Sequence, residues 1–117
     1  MKFMTMVSSA ETNGPPPPAL MKGIMELGIE AGQKGILVEQ GGLYRSDRGA
    51  RVRVSGGKLI TTDGPFAEAK ELVGGFAVYA VGSKEEVLEW TRRFMQLHID
   101  HWPGWEGVAE VRQMYEA

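Results

Sequence analysis

Residues 61–76 read TTDGPFAEAKELVGGF, and this mid-chain stretch lies between two segments with the pattern of β-strands. Residues 58–62 lead into it. Residues 76–81 follow, apolar on both alternating faces, as in a strand that is covered on both sides. The stretch holds the densest run of turn-forming residues and charges in the chain. We therefore expect a rigid polar turn that leads into a central, buried strand.

The residue types of this turn have separate structural roles. Asp63 can accept hydrogen bonds from backbone amides just downstream, and Gly64 permits an unusual backbone angle. Pro65 suits the start of a helical turn, and Phe66 would anchor the turn in apolar surroundings. We expect one or two helical turns over residues 66–72, ended by the two glycines at 74 and 75.

Outward from this stretch, the chain alternates strand and helix patterns. A first helix is predicted over 19–34, and Met21 and Met25 widen its apolar stripe. A second helix is predicted over 84–100. It begins with a capping box of Ser83 and Glu86 and carries Trp90 at the margin of its apolar stripe. The predicted strands are 2–8, 36–39, 50–54, 58–62, 76–81 and 108–114.

This order predicts an α+β fold, with both helices on one face of an antiparallel sheet. A ferredoxin-like arrangement is the nearest match, and residues 50–62, which turn at Gly56-Gly57, form a mid-chain β-hairpin. Two helices cover only one sheet face, and the second face of strands 2–8 and 76–81 also reads as apolar. We therefore expect a homodimer that forms through this sheet face.

The length and the composition argue against several classes of protein. A length of 117 residues suits one domain, residues 1–117. A net charge of -2 without a basic stripe argues against nucleic-acid binding, and no apolar run approaches the roughly 20 residues of a membrane span. The absence of cysteine removes disulfides and thiolate chemistry and fits a cytoplasmic protein.

Three carboxylates of the central stretch are candidates for chemistry. Asp63 and Glu68 could act as general acid or base if a cleft held them close together, and Glu71 shares a helical face with Glu68. The alternative is structural, with Asp63 capping the turn and both glutamates paired or solvated. Arg53 or Arg112 could hold an anionic substrate.

Late in the chain, His98 and His101 lie three residues apart on one helix. They could bind a metal together with Asp100 or Glu106, or they could pack against neighbouring aromatic rings. A cluster of Trp102, Trp105 and Tyr115 could stack on an aromatic ligand or close a core. We predict no metal site and no cofactor.

Asp63-Gly64-Pro65-Phe66-Ala67-Glu68-Ala69-Lys70-Glu71 and then Gly74-Gly75-Phe76 resemble the DGPF group of the YCII-related family. The resemblance extends to residues 52–54 and 110–112. It implies a ferredoxin-like, dimeric α/β-barrel with an unassigned biochemical role, in a group often encoded beside extracytoplasmic-function sigma factors. The early His–Asp pair of smaller relatives has no match here, because the first histidine is His98.

Two functions follow. The first is a dimeric domain that binds a small molecule or a protein partner, in sigma-factor-linked regulation. The second is a small enzyme, a lyase or hydrolase, in which Asp63 or Glu68 is the acid or base and Arg53, Glu71 or Arg112 holds the substrate.

Overall fold

A computed structural model of the chain describes residues 1–116. Six strands and two α-helices follow one another in the order β1, α1, β2, β3, β4, β5, α2, β6, with short 3-10 turns at Glu11–Asn13 and Ser46–Arg48. The bounds are β1 Lys2–Ser9, α1 Pro18–Gln33, β2 Leu37–Gly42, β3 Ala50–Ser55, β4 Lys58–Asp63, β5 Leu72–Ala80, α2 Lys84–His101 and β6 Gly107–Gln113.

Four of the strands form an antiparallel sheet in the order β2-β5-β1-β6. The two central strands are β1 and β5, as expected from their apolar residues on both faces. Both helices pack on one face of this sheet. The chain is therefore α+β, and its strand order is compatible with a ferredoxin-like fold.

The core lies between this sheet and the helices. Phe3 and Thr5 point towards the helices, since Phe3 belongs to the cluster around Val87 and the Thr5 hydroxyl lies 3.3 Å from that of Thr91. The capping box of α2 is present: the Glu86 amide donates to the Ser83 hydroxyl, and the Glu86 carboxylate accepts from Gly82. Three side chains were placed wrongly from the helical pattern alone. Trp90 is buried in the core, and Met21, with Met25, is exposed.

Strands β3 and β4 form a separate two-stranded sheet. They pair from Ala50 opposite Asp63 to Ser55 opposite Lys58, and Gly56 and Gly57 make the turn with φ of 57° and 75°. Among residues 1–116, neither strand packs extensively on another helix or strand. The radius of gyration is 15.8 Å. About 13 Å is typical of a compact chain of this length. The value is larger here because these strands project from the rest of the chain, which we call the body.

The helical turns that we expected over residues 66–72 are wrong. A single turn spans Phe66 to Ala69, closed by a hydrogen bond of 3.1 Å between their backbones, and β5 already begins at Leu72. Gly74 and Gly75 are therefore part of β5. Gly75 pairs with Val7 and with Gly42, and the Gly74 carbonyl accepts from the Leu43 amide at 2.9 Å.

Neither helix in the described chain is long and apolar enough to span a membrane.

Candidate functional site

The Asp-Gly-Pro-Phe stretch forms a corner at one end of the four-stranded sheet. At this end Ser9 of β1 pairs with Leu72 of β5. Beyond it, residues 63–69 meet two loops, one after β1 that carries Glu11 and one after β2 that carries Ser46. We call these residues 63–69, together with Glu11 and Ser46, the corner.

A hydrogen-bonded network joins the three segments of the corner. The Glu11 carboxylate accepts from the Ser46 amide at 2.6 Å and from the Ser46 hydroxyl at 2.8 Å. The same hydroxyl accepts from the Phe66 amide at 3.0 Å, and Arg45 donates to the Glu11 carbonyl oxygen at 2.7 Å. Ser46 is 9% exposed, so the three bonds that it makes are partly shielded from water and hold the turn to both loops.

Gly64 is needed at the corner because its backbone touches Ser46. A Cβ at position 64 would lie 2.6 Å from the Ser46 carbonyl carbon and closer still to its oxygen. Its amide donates to the Gly49 carbonyl oxygen at 2.8 Å. Its φ is not positive, so the unusual backbone angle that we expected is not the reason for glycine here. The Gly64–Pro65 peptide bond is cis, and no helix begins at Pro65.

Arg51 and Phe66 form the outer layer of the corner. The Arg51 guanidinium lies 3.8 Å above the centre of the Phe66 ring and forms an ion pair with Glu68. A backbone hydrogen bond at Glu68 itself, and then the Arg51 side chain, lower the pKa of the Glu68 carboxyl. Glu68 is therefore a fixed anion at neutral pH. Phe66 is half-buried, and the Arg51 cation covers one face of its ring.

The structure does not gather the three predicted carboxylates into one group. Asp63 is exposed at the end of β4, Glu71 is exposed just before β5, and Glu68 is held by Arg51. Clustered carboxylates raise one another's pKa, whereas the pKa of Glu68 is lowered. Asp63 makes no side-chain hydrogen bond to the downstream amides in the described chain, and the Phe66 amide donates to Ser46 instead.

The two predicted anion-binding arginines lie far apart. Arg53 is exposed on β3, on the same face as Arg51 and close enough to Glu68 to help lower its pKa. Arg112 is on β6, opposite Met4, five residues from the Ser9 end of β1. At 3.4 Å per residue, this places Arg112 about 17 Å along the sheet from the corner.

Arg112 belongs instead to the sheet face that no helix of residues 1–116 covers, which we call the open face. Side chains alternate along a strand, so Met4 and Met6 point away from the helices that Phe3 and Thr5 contact. Phe76 pairs with Met6, and Val78 pairs with Met4. These four residues make an apolar centre of the open face.

Polar residues border this apolar centre on both sides. Glu110 lies opposite Met6 on β6 and forms an ion pair of 3.0 Å with Arg112, and Glu39 lies beside Val78 on β2. The centre is less bare than we expected, because Val78 is 7% exposed and the other three side chains are half-buried in the single chain.

The histidine region is an aromatic stack. The His98 ring lies 4.4 Å from the Trp105 ring and 5.1 Å from the Phe94 ring, and its Nδ1 is 3.0 Å from the Phe94 carbonyl oxygen. Burial lowers the pKa of His98, so the ring is neutral at pH 7. Within residues 1–116 no group of three histidine or acidic side chains could hold a metal ion. Tyr115 is fully exposed and is not part of this stack.

Two surface clefts lie away from the corner. One of about 540 Å³ is at the chain ends, lined by Met1 and residues 113–116. The other, of about 400 Å³, lies between the helices and is lined by Lys34, Ile36, Glu86, Glu89, Trp90 and Arg93. None of the predicted site residues lines either cleft.

Sequence reasoning missed the residues that build the corner from outside the motif. Glu11 and Ser46 lie in loops 35 residues apart, and nothing in their local pattern distinguishes them from other loop residues. The sequence does single out Arg51, because arginines alternate with valines along the predicted strand 50–54 and so share one face of it. The anion that Arg51 binds is a side chain of the same protein, Glu68.

Comparison with known proteins gives two matches. The model of the YCII-related domain family matches residues 1–101. An uncharacterized protein of Rhizobium meliloti (strain 1021) is 38% identical over 64 residues, which are 55% of this chain and 49% of that protein. The alignment thus spans about half the length of this curated relative.

Proposed function

The chain belongs to the YCII-related family, and from this premise we propose that it is a homodimeric binding domain that holds a small organic anion between two apposed open faces. We place this binding in sigma-factor-linked regulation on the family resemblance alone. The observation that carries the proposal is the composition of the open face, which has an apolar centre and a cationic side chain at its border.

The apolar centre supports apposition of two copies. Met4, Met6 and Phe76 remain partly accessible in the single chain, and no helix lies over them. Burial of apolar surface is the main favourable contribution to most protein–protein association. A two-fold arrangement would set this patch against itself, because an isologous interface uses the same surface on both subunits.

The polar border supports an anionic ligand. Arg112 is 71% exposed at its side chain, and its partner Glu110 is 58% exposed, so water screens the pair. A ligand carboxylate or sulfonate could replace Glu110 as the partner of Arg112, while the ligand's apolar part contacts Met4 and Phe76. Binding sites commonly combine an apolar floor with a few polar groups in this way.

An acid–base role for the corner has less support. Glu68 is ion-paired and its pKa is lowered, whereas a general acid at neutral pH needs a raised one. Asp63 is exposed, and neither carboxylate lines a cleft described above. The corner better suits a structural role, and catalysis by Asp63 or Glu68 stays a prediction of the sequence.

Titration with the fluorescent aromatic sulfonate 8-anilinonaphthalene-1-sulfonate tests the proposal. We expect saturable binding to the native protein, weakened about tenfold by Phe76→Ala and by Arg112→Gln, since one removes apolar contact and the other the cation. Arg92→Gln is the matched control, because Arg92 is an exposed arginine of α2, in the layer on the opposite side of the sheet.

Equal affinities for the wild type and the Phe76→Ala and Arg112→Gln variants would refute binding at the open face. Near-UV circular dichroism of each variant checks that native packing is retained, because this dye also binds partly unfolded chains.

A further inference from the structure

Three of the most exposed apolar side chains of the chain lie close together on β3 and β4, which we call the arm. Val52, Val54 and Leu59 are 66%, 75% and 73% exposed. Leu59 pairs with Val54, and Val52 pairs with Thr61, so all four side chains lie on one face of the arm. The opposite face carries Arg51, Arg53, Lys58, Ile60 and Thr62.

An isolated two-stranded hairpin is marginally stable in water, and it gains stability by packing on something else. In the described chain the arm does not find that packing, since no other helix or strand covers it. The apolar face of Val52, Val54 and Leu59 therefore lacks an intramolecular partner.

The base of the arm is nevertheless held firmly. Gly64 donates to Gly49 across the two ends of the hairpin, and Arg51 is tied to both Phe66 and Glu68. The corner thus fixes the direction in which the arm leaves the body. A projecting element that is fixed at its base loses little freedom when it binds, and this favours association.

The exposed area indicates the size of the missing partner. The chain exposes 8141 Å², whereas a monomeric protein of 12.8 kDa exposes about 6,300 Å² by area scaling. The excess is roughly 1,800 Å² for each chain. A standard interface buries about 800 Å² for each partner, and obligate homodimers bury more. The excess matches a homodimer that uses the arm as well as a sheet face.

Charge favours a second copy of the chain as the partner. Arg51, Arg53 and Lys58 against Asp63 give the arm a net charge of +2, so the rest of the chain, with a total of -2, carries -4. Arg51 is already paired with Glu68 of its own chain, and the other two cations lie on the face opposite Val52, Val54 and Leu59. The attraction is therefore between the net charges of the arm and of the body of another copy, and not between paired side chains of the docking face. Complementary potentials of this kind steer association and fix its orientation.

We propose that the arm of each protomer packs its apolar face, Val52, Val54 and Leu59, on the body of a second copy, so that two arms clasp the dimer in a two-fold arrangement. This inference rests on the dimer of the proposed function and extends its interface beyond the open face. In this two-fold arrangement, both protomers contribute the same arm surface to the interface.

Glutamate substitutions at two neighbouring positions of β4 test the clasp. Leu59→Glu places a charge on the apolar face, and Ile60→Glu, the matched control, places the same charge on the opposite face across from Arg53. Sedimentation equilibrium at one ionic strength should show the dimer dissociation constant raised at least about tenfold by Leu59→Glu. The change for Ile60→Glu should stay below about twofold. Equal constants for the two variants would overturn the inference.

Hydrogen exchange of the wild-type protein gives a second readout that needs no substitution. The backbone amides of residues 50–63 should be more protected at concentrations above the dimer dissociation constant than below it. Protection that does not depend on concentration would overturn the clasp.

Met6→Lys separates this inference from the proposed function. Met6→Lys should weaken the dimer if the open faces are apposed. Weakening by Leu59→Glu alone would support the clasp and refute apposition of the sheets. Weakening by Met6→Lys alone would support apposition of the sheets and refute the clasp. A wild-type protein that is monomeric at all concentrations would overturn the clasp and the apposition of the sheets alike.

Discussion

Gly64 shows how a single residue can be placed correctly and explained wrongly. The motif indicated a tight turn, and glycine was expected there for its backbone freedom. The structure gives a different reason, which is the close approach of Gly64 to the Ser46 carbonyl group. Close approach of this kind depends on a loop elsewhere in the chain, and no local pattern reveals it.

We predict that Gly64→Ala destabilises the protein by about 2 kcal/mol, as for other insertions of a methyl group into a tightly packed contact. The new Cβ would push the turn away from Ser46 and strain the bonds that Ser46 makes to Glu11 and Phe66. Urea denaturation at a fixed protein concentration measures the change.

Gly74→Ala is the control for this prediction. A Cβ at position 74 meets no atom within 4 Å, and Gly74 lies in a strand without a positive φ. If Gly74→Ala cost as much stability as Gly64→Ala, the effect would arise from glycine replacement in general and not from contact with Ser46.

At the scale of elements, regular periodicity was a good guide. The two helices and the strands lie within a few residues of their predicted bounds, because each carries an apolar pattern of the right period or a capping box. The connection between β4 and β5 was predicted to form one or two helical turns over residues 66–72, because Pro65 suits a helix start and the glycines at 74 and 75 suit a helix end. Its few residues must span the distance between β4 and β5 while Phe66 is bonded to Ser46, and these tertiary constraints outweigh the helix propensity.

The candidate site was less predictable than the fold. The motif located the corner, but the partners of its residues come from loops around Glu11 and Ser46. Arg112 was identified from its charge and strand position, and only the pairing of β6 with β1 places it on the open face, away from Asp63. Proximity between distant segments depends on sheet order, which a single sequence does not specify.

The C-terminal part of α2 makes the stability of the protein depend on pH. Burial lowers the pKa of His98 in the folded state below the ordinary value of 6.5 for histidine, with the Phe94 carbonyl partly opposing this shift. The unfolded chain therefore binds a proton more readily than the folded one. The stabilisation is fully present above pH 6.5 and is lost as the pH falls towards the lowered value.

We expect the wild-type free energy of unfolding to fall between pH 7.5 and pH 5.5 and to fall less in His98→Gln. His101→Gln serves as the control, since His101 lies one turn further along α2 and remains half-buried at its end. The comparison uses chemical denaturation at both pH values. An unchanged pH dependence in His98→Gln would show that His98 is not the group responsible.

At the scale of the whole molecule, both the shape of the chain and its exposed apolar surface indicate self-association. The shortest extent is 19 Å, which corresponds to two layers, so a single chain leaves its sheet uncovered on one side. The arm adds further apolar surface that the described part of the chain does not cover. The open face and the arm are separate surfaces, and one homodimer could cover both.

The absence of cysteine allows the most direct test of the apposed sheets, because one introduced cysteine is the only thiol in each chain. Met6→Cys places it at the centre of the open face, and Arg92→Cys places it on α2. Packed sheets lie about 10 Å apart, within reach of a short bismaleimide. We predict rapid and nearly complete cross-linking into dimers for Met6→Cys and little for Arg92→Cys. Equal cross-linking at the two positions, or none at Met6→Cys, would contradict the account.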